Sequence, residues 1–380
     1  MISPYFTEEH QMLRETLRRF VEKEIVPYGE TWEEEGVVPR ELLKKMGNLG
    51  LLGLTFEEEY GGGGMDTLAT VVLAEELARS SFGGVTVTVL VHTDMASPHL
   101  ANAGTPEQKK KYLPSLISGD LVSAVCITEP AAGSDVAGIR TSARKEGEEW
   151  VLNGSKIFIT NGVHGDIFFV AAKTNPEAAG AHGISMFILE KGMAGFTVGR
   201  SLKKHGWCSS DTAELFFDNV RVPHGNLLGT ENHGFYSVMK NFQNERIALA
   251  TMAVGEAQKA MEITIEYVKN REAFGKTLYD NAAVRQKLAV MQTKVSMTRN
   301  FVYQVAWLDS QGVDCIKEVS MAKAFAGEMV NEVMYACVQL HGGMGYMKES
   351  VIERMSRDAR VQSIGGGATE VMYEEVAKRL

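Results

Sequence analysis

Five short stretches of this 380-residue sequence gather residue types able to hold or transform a small molecule. In "CITEPAAGSD", residues 126–135, Pro130 and Gly133 make a turn, and Thr128, Ser134 and nearby N–H groups offer several hydrogen bonds in a small space. The same residues would also make a plain capped connection. In "KIFITNG", residues 156–162, a strand period of two puts Phe158 and Thr160 on one face. A planar heterocycle can stack on such a face; a cross-strand core pair is the blander alternative. "REAFG", residues 271–275, closes a helical run on Arg271, which there complements a helix dipole or serves a ligand. "QLHGGMGY", residues 339–346, follows another helix, and its glycines either terminate that helix or present N–H groups to an anion. "IGGGATEVM", residues 364–372, either lets a phosphate approach the backbone or clears side chains to make room.

These stretches need elements to position them. Thr7 can cap a helix whose apolar positions Leu13, Leu17, Phe20, Val21 and Ile25 recur at helical spacing up to Pro27. Further helices are expected over 41–52, 67–80 and 106–117. Near residue 123 the pattern shifts to short β-prone runs bounded by Gly, Asn and Pro. Among them, "EWVLNGSKIFIT" carries Asn153-Gly154, which predicts a hairpin turn. The runs together predict a sandwich or small barrel. After Gly234 four proline-free helical stretches follow, over 235–269, 283–310, 316–340 and 349–360, and short loops between them predict an antiparallel bundle. The fold class is α+β: an N-terminal helical domain (1–122), a central β domain (123–232) and a C-terminal helical bundle (233–380).

A formal charge of -9 without a dominant basic face argues against a nucleic-acid binder. No apolar run approaches a bilayer span, so no membrane insertion is expected. Cys126, Cys208, Cys315 and Cys337 form no CxxC pair, which predicts neither a metal site nor disulfides and suits a reducing compartment. "MISPYFTEEH" lacks the features of a secretory or transit peptide, and a cytoplasmic location is the expectation.

Together "TEPAAGSD", "FITNG", "DTAELFFDNVRVP", "REAFGK", "QLHGGMGY" and the terminal glycine segment resemble the acyl-CoA dehydrogenase family, in its order and at about its spacing. The resemblance spans essentially the whole chain. It implies non-covalent FAD, an acyl-CoA substrate, electron transfer to an electron-transfer flavoprotein, and a homotetramer built as a dimer of dimers. By the same resemblance Cys126, Thr128, Gly133, Ser134, Phe158 and Thr160 face the flavin, with Thr128 at its pyrimidine edge and Thr160 near N5. Arg271, Phe274, Gln339 and Gly343 would meet the pyrophosphate and adenosine half from a neighbouring subunit; the planar fork of Arg271 suits phosphate. Glu370 would contact the cofactor, and Ser134, Gln243, Arg246 and Gly367 the substrate.

The chain departs from the family pattern in several places. Asn281-Ala282 replaces a pair that often includes glutamine, Phe158 replaces a common tryptophan, and Ala368 replaces the usual threonine. The largest difference concerns the base. Family chemistry removes a proton α to a thioester carbonyl while a hydride leaves the β carbon, and in many members the glutamate base aligns with the glycines at 365–367. In a subgroup resembling the isovaleryl- and long-chain-specific dehydrogenases the base aligns instead with Glu245 of "FQNERIALA", where an adjacent Glu-Arg pair would otherwise read as surface. Glu245 is therefore the implied base, and the Gly366 N–H the implied donor to the thioester oxygen. The two glycines predict a pocket widened near the α and β carbons, for a long or branched acyl chain in fatty-acid or branched-chain catabolism. Alternatives on the same fold are a flavin oxidase or monooxygenase and a non-catalytic acyl-CoA-binding protein.

Overall fold

The computed structural model describes residues 4–178, 180 and 182–380. The N-terminal helices are α1 (Glu8–Phe20), α2 (Gly29–Glu35), α3 (Arg40–Asn48), α4 (Thr67–Ala78), α5 (Gly83–Leu90), α6 (Ser97–Ala103) and α7 (Pro106–Ile117). Thr7 caps α1 as expected: its hydroxyl accepts from the His10 N–H, and the His10 ring accepts from the Thr7 N–H at 3.2 Å. Helix α5, "GGVTVTVL", has no helical period in its sequence because every residue of it is buried. It continues through a π-helical turn, Val91–Ala96, into α6. The Asp94 and Met95 carbonyls in that turn accept from the Asn244 and Asn241 side-chain amides at 3.1 and 3.0 Å.

The central strands are β1 (Ser123–Cys126), β2 (Ser142–Glu146), β3 (Glu149–Thr160), β4 (Ile167–Lys173), β5 (Ile184–Glu190), β6 (Phe196–Ser201), β7 (Thr212–Pro223) and β8 (Leu227–Leu228). They form one sheet in the order β6-β7-β3-β2-β4-β5-β8, with β1 parallel to β4. The expected turn at Asn153-Gly154 does not form. β3 runs straight through it, with a register shift between Leu152 and Gly154, and the turn lies at Gly147, before Glu149. A Cβ on Gly154 would lie 2.5 Å from the Thr141 hydroxyl, so this glycine marks a bulge under a crowded neighbour.

The C-terminal part holds α8 (Gly234–Asn270), the hairpin β9 (Glu272–Ala273) and β10 (Lys276–Thr277), α9 (Ala282–Ser310), α10 (Ile316–His341), α11 (Val351–Ala359) and α12 (Thr369–Ala377). The first three long helices lie within a residue or two of expectation. The predicted fourth is shorter: α11 has nine residues, and α12 follows it after the glycine segment. Leu68 and Val71 of α4 enter the same core as α8, α9 and α10, so the N-terminal helices pack directly on the bundle.

A buried ion cluster ties α1, α4 and α9 together. Glu75 meets Arg14 at 2.8 Å, Arg299 at 3.1 Å and the Tyr303 hydroxyl at 2.6 Å. Glu76 meets Arg14 at 2.9 Å and Arg18 at 2.8 Å.

Candidate active site

Helix α8 carries Gln243, Glu245 and Arg246 within its third and fourth turns, and the glycine segment between α11 and α12 lies against them. A Cβ built on Gly366 would come within 3.2 Å of Glu245 Oε1 and 2.1 Å of Leu249 Cδ1. Gly366 and Gly367 hold φ of 63° and 98°, a region that disfavours any side chain. The space above Gly366 is thus not open: Glu245 and Leu249 fill it. The expected widening does not occur at that point, because the glycine accommodates the α8 side chains.

Glu245 keeps a little accessible surface but has protein densely packed around it. Its carboxylate accepts no hydrogen bond among the described residues. Loss of hydration pushes its pKa up to about 7, against the opposing charges of Arg246 and Lys323. The Gly366 N–H likewise makes no hydrogen bond among the described residues, while the Gly365 N–H is engaged by the Val361 carbonyl at 2.8 Å. An unpartnered carboxylate and an unpartnered donor therefore sit side by side. Arg246 is buried with its guanidinium 5.4 Å over the Phe242 ring, and its Nε has no partner among the described residues. Gln243 is half-buried on the same helix, and Glu370 lies exposed in the first turn of α12.

A second group forms at the edge of the sheet. Cys126 ends β1, fully buried, and Thr128 follows at the start of a loop that exposes Gly133 and Ser134. The Thr128 carbonyl accepts from the Ile157 N–H at 3.0 Å, which sets this loop beside Phe158 and Thr160. Phe158 is 65% exposed, at φ 62°, within a register shift between Lys156 and Ile159. Regular alternation is thus broken between Phe158 and Thr160, and a bulge rather than the strand period turns the ring outward. A buried pair that motif reading missed anchors the loop: Lys156 Nζ bonds Glu129 Oε1 at 2.8 Å and the Ile127 carbonyl at 2.9 Å. Glu129 also accepts from the Arg140 and Thr141 N–H groups at 2.6 and 2.9 Å.

The third group sits at the far end of the bundle. Arg271 caps α8, and Phe274-Gly275 occupies the tip of the β9–β10 hairpin, both at positive φ. The Phe274 side chain is fully exposed, an unusual place for a large aromatic at a strained φ. Arg271 and His341 line one pocket with Tyr267, which stacks on His341 at 4.2 Å. Gln339 and Gly343 are exposed on either side of His341, at the end of α10. His341 and Tyr267 escaped notice because neither stands out in sequence from a core aromatic.

A helical frame around one sheet thus brings a poorly hydrated carboxylate and an unpartnered backbone N–H close together. Models of the N-terminal, middle and C-terminal domains of acyl-CoA dehydrogenase match residues 7–120, 124–220 and 232–380. The chain is 45% identical over 377 residues to the long-chain specific acyl-CoA dehydrogenase of rat mitochondria, covering 99% of this chain and 87% of the relative. It is 43% identical over 376 residues to an acyl-CoA dehydrogenase of Bacillus subtilis, covering 99% of both. The crystal structure of an acyl-CoA dehydrogenase from Geobacillus kaustophilus superposes with a TM-score of 0.96 at 42% identity, over 100% of this chain and 99% of the other. The chain belongs to the acyl-CoA dehydrogenase family, a family of flavoprotein oxidoreductases.

Proposed function

We propose that the protein carries out FAD-dependent α,β-dehydrogenation of an acyl-CoA thioester to the trans-2-enoyl-CoA, with Glu245 as the base. The observation that carries this reading is the pairing of the unpartnered Glu245 carboxylate with the unpartnered Gly366 N–H. A thioester α-proton is weakly acidic, so the base must be poorly hydrated and the developing enolate oxygen must meet a fixed donor. Burial gives Glu245 its raised basicity; the left-handed conformation of Gly366 holds the N–H in place. Arg246 and Lys323 keep part of the Glu245 population ionised near neutral pH.

The residues present fit FAD. Thr128 and Thr160 supply hydroxyls beside the outward Phe158 ring, the uncrowded backbone at Gly133 and Gly343 admits phosphate, and Arg271 supplies a fork-shaped cation. Bound FAD would supply the acceptor for the β-hydride. The exposed Phe274 tip suits a contact outside its own chain, which supports the reading that Arg271, Phe274, Gln339 and Gly343 serve the adenosine half of a neighbouring subunit's cofactor in a homotetramer. Ser134, Gln243, Arg246 and Gly367 would line the substrate and Glu370 the cofactor, within three domains bounded at 122/123 and 232/233. Electrons would pass to an electron-transfer flavoprotein, in the cytoplasm. The name of the rat relative supports a long acyl chain.

Anaerobic addition of acyl-CoAs from butyryl to palmitoyl, with isovaleryl, to the holoenzyme tests this reading. We expect the flavin absorption band to bleach, most readily with long chains. No bleaching with any of them would refute the dehydrogenase assignment; a preference for butyryl would refute the chain-length assignment alone.

A further inference from the structure

One buried cation beside the base has no part in the reading above other than its charge. Lys323 lies on α10 and is only 2% exposed. Its Nζ donates to the Gln362 carbonyl at 3.0 Å and to the Gly367 carbonyl. Those two carbonyls bracket the glycine segment. The same stripe of α10 continues one turn on with Gly327, where a Cβ would lie 2.8 Å from the Gln362 carbonyl, and another turn on with Asn331. The Asn331 amide donates to the Ala359 carbonyl at 3.0 Å and lies 3.3 Å from the Ser363 hydroxyl. Thus Lys323, Gly327 and Asn331, spaced by four, hold residues 359–367 against the bundle. From the other side, the Gln362 amide reaches Glu256 at 3.3 Å.

We propose that Lys323 is a positioning residue for the proton transfer: its ammonium fixes the segment that presents the Gly366 N–H, and its charge faces the Glu245 carboxylate. The inference rests on Glu245 being the base. A buried ammonium with only carbonyl partners is expensive to keep charged, and burial brings Lys323 down to about 8 while the Glu245 charge opposes that fall. The Glu245 carboxylate in turn makes no hydrogen bond among the described residues, so charge is what Lys323 offers it. Arg246, on the base's own helix, is the other cation acting on Glu245; Glu375 and Arg379 of the C-terminal end act on Arg246. Of the two titratable groups in the π turn, His92 is taken up by the Ser123 hydroxyl and the Leu116 carbonyl, and Asp94 receives the Asn244 amide at 3.3 Å and the Thr70 and Thr93 hydroxyls. Glu256 bonds the Gln362 amide from behind the segment and feels the charge of Asp358.

The test replaces Lys323 by Met and by Gln and follows kcat/KM against pH. Gln keeps a donor for one carbonyl but no charge; Met keeps neither. Loss of the cation should raise the Glu245 pKa, so the acidic limb of the profile should move up by about one pH unit in both variants. Lys323→Met should in addition lower kcat more than tenfold relative to Lys323→Gln, about the worth of a misplaced oxyanion donor. A fall in rate with an unmoved limb in both variants would overturn the electrostatic role, and equal kcat in both would overturn the anchoring role. The Glu245 carboxyl can also be titrated by difference infrared spectroscopy, with Glu245→Gln to identify its band. That readout needs no turnover: it decides the Lys323 proposal in Lys323→Gln even if no acyl-CoA bleaches the wild-type flavin, a result that would refute the proposed function instead.

Discussion

Glu75 and Glu245 are both glutamates enclosed by helices near the bundle core, yet their surroundings drive their protonation in opposite directions. Burial pushes both up. At Glu75 the charges of Arg14 and Arg299 and the hydrogen bonds from Tyr303 and Arg14 more than reverse it, leaving the carboxyl below the ordinary range. At Glu245 two cations act without bonding the carboxylate, burial prevails, and the group titrates at about 7. Depth alone therefore does not make a base. What separates the two is whether the carboxylate oxygens are occupied.

One chemical change, glutamate to glutamine, reads that contrast at both sites. The largest effect belongs to Glu245→Gln: kcat/KM with the best acyl-CoA should fall about 10³- to 10⁴-fold, measured at pH 8, while flavin content stays at the wild-type level. Retained turnover would remove Glu245 from the mechanism. Next, Glu75→Gln should lower the unfolding free energy by about 3 kcal/mol at pH 7 in urea titrations, because the half-buried Arg14 and Arg299 then face a neutral amide. The native pKa of Glu75 is depressed, so its contribution exists above the unfolded value and fades as the pH falls through the folded one; the penalty should shrink in acid.

The last effect has the opposite sign. The native pKa of Glu245 stands above that of an exposed glutamate, so the site's stability is greatest below the unfolded value and is lost as pH rises through about 7. Glu245→Gln removes that loss. At pH 8 the variant should be more stable than wild type by about 3 kcal/mol, and at pH 4 the two should unfold alike. Equal stability at both values would mean the base carries no stored cost, and the contrast with Glu75 would collapse.

Much of this frame is visible in the chain. The long helices of the bundle show their period because each keeps a wet face, and Thr7 and the Pro27 stop bracket the first helix region. Gly83–Leu90 is illegible for the converse reason: alternating Val and Thr suggest a strand, but a helix with no exposed face needs no period. Asn153-Gly154 misleads because a dipeptide that tolerates positive φ serves a bulge as well as a turn, and the crowded Thr141 decides between them. At the site, motifs and family resemblance lead to Glu245 and Gly366. They cannot lead to Leu249 or Lys323, an ordinary leucine and lysine on helices whose roles come from facing the glycine segment across the fold.

The overlap above Gly366 also bears on how such a site can change over time. A glutamate entering at 366 first would drive its Cβ to 2.1 Å from Leu249 and adopt a backbone angle suited to glycine. Removing Glu245 first would take away the carboxylate proposed as the base. The first step must move the Leu249 methyl and strain the backbone, and the second removes the proposed base, so positions 245, 249 and 366 change more easily together than one at a time.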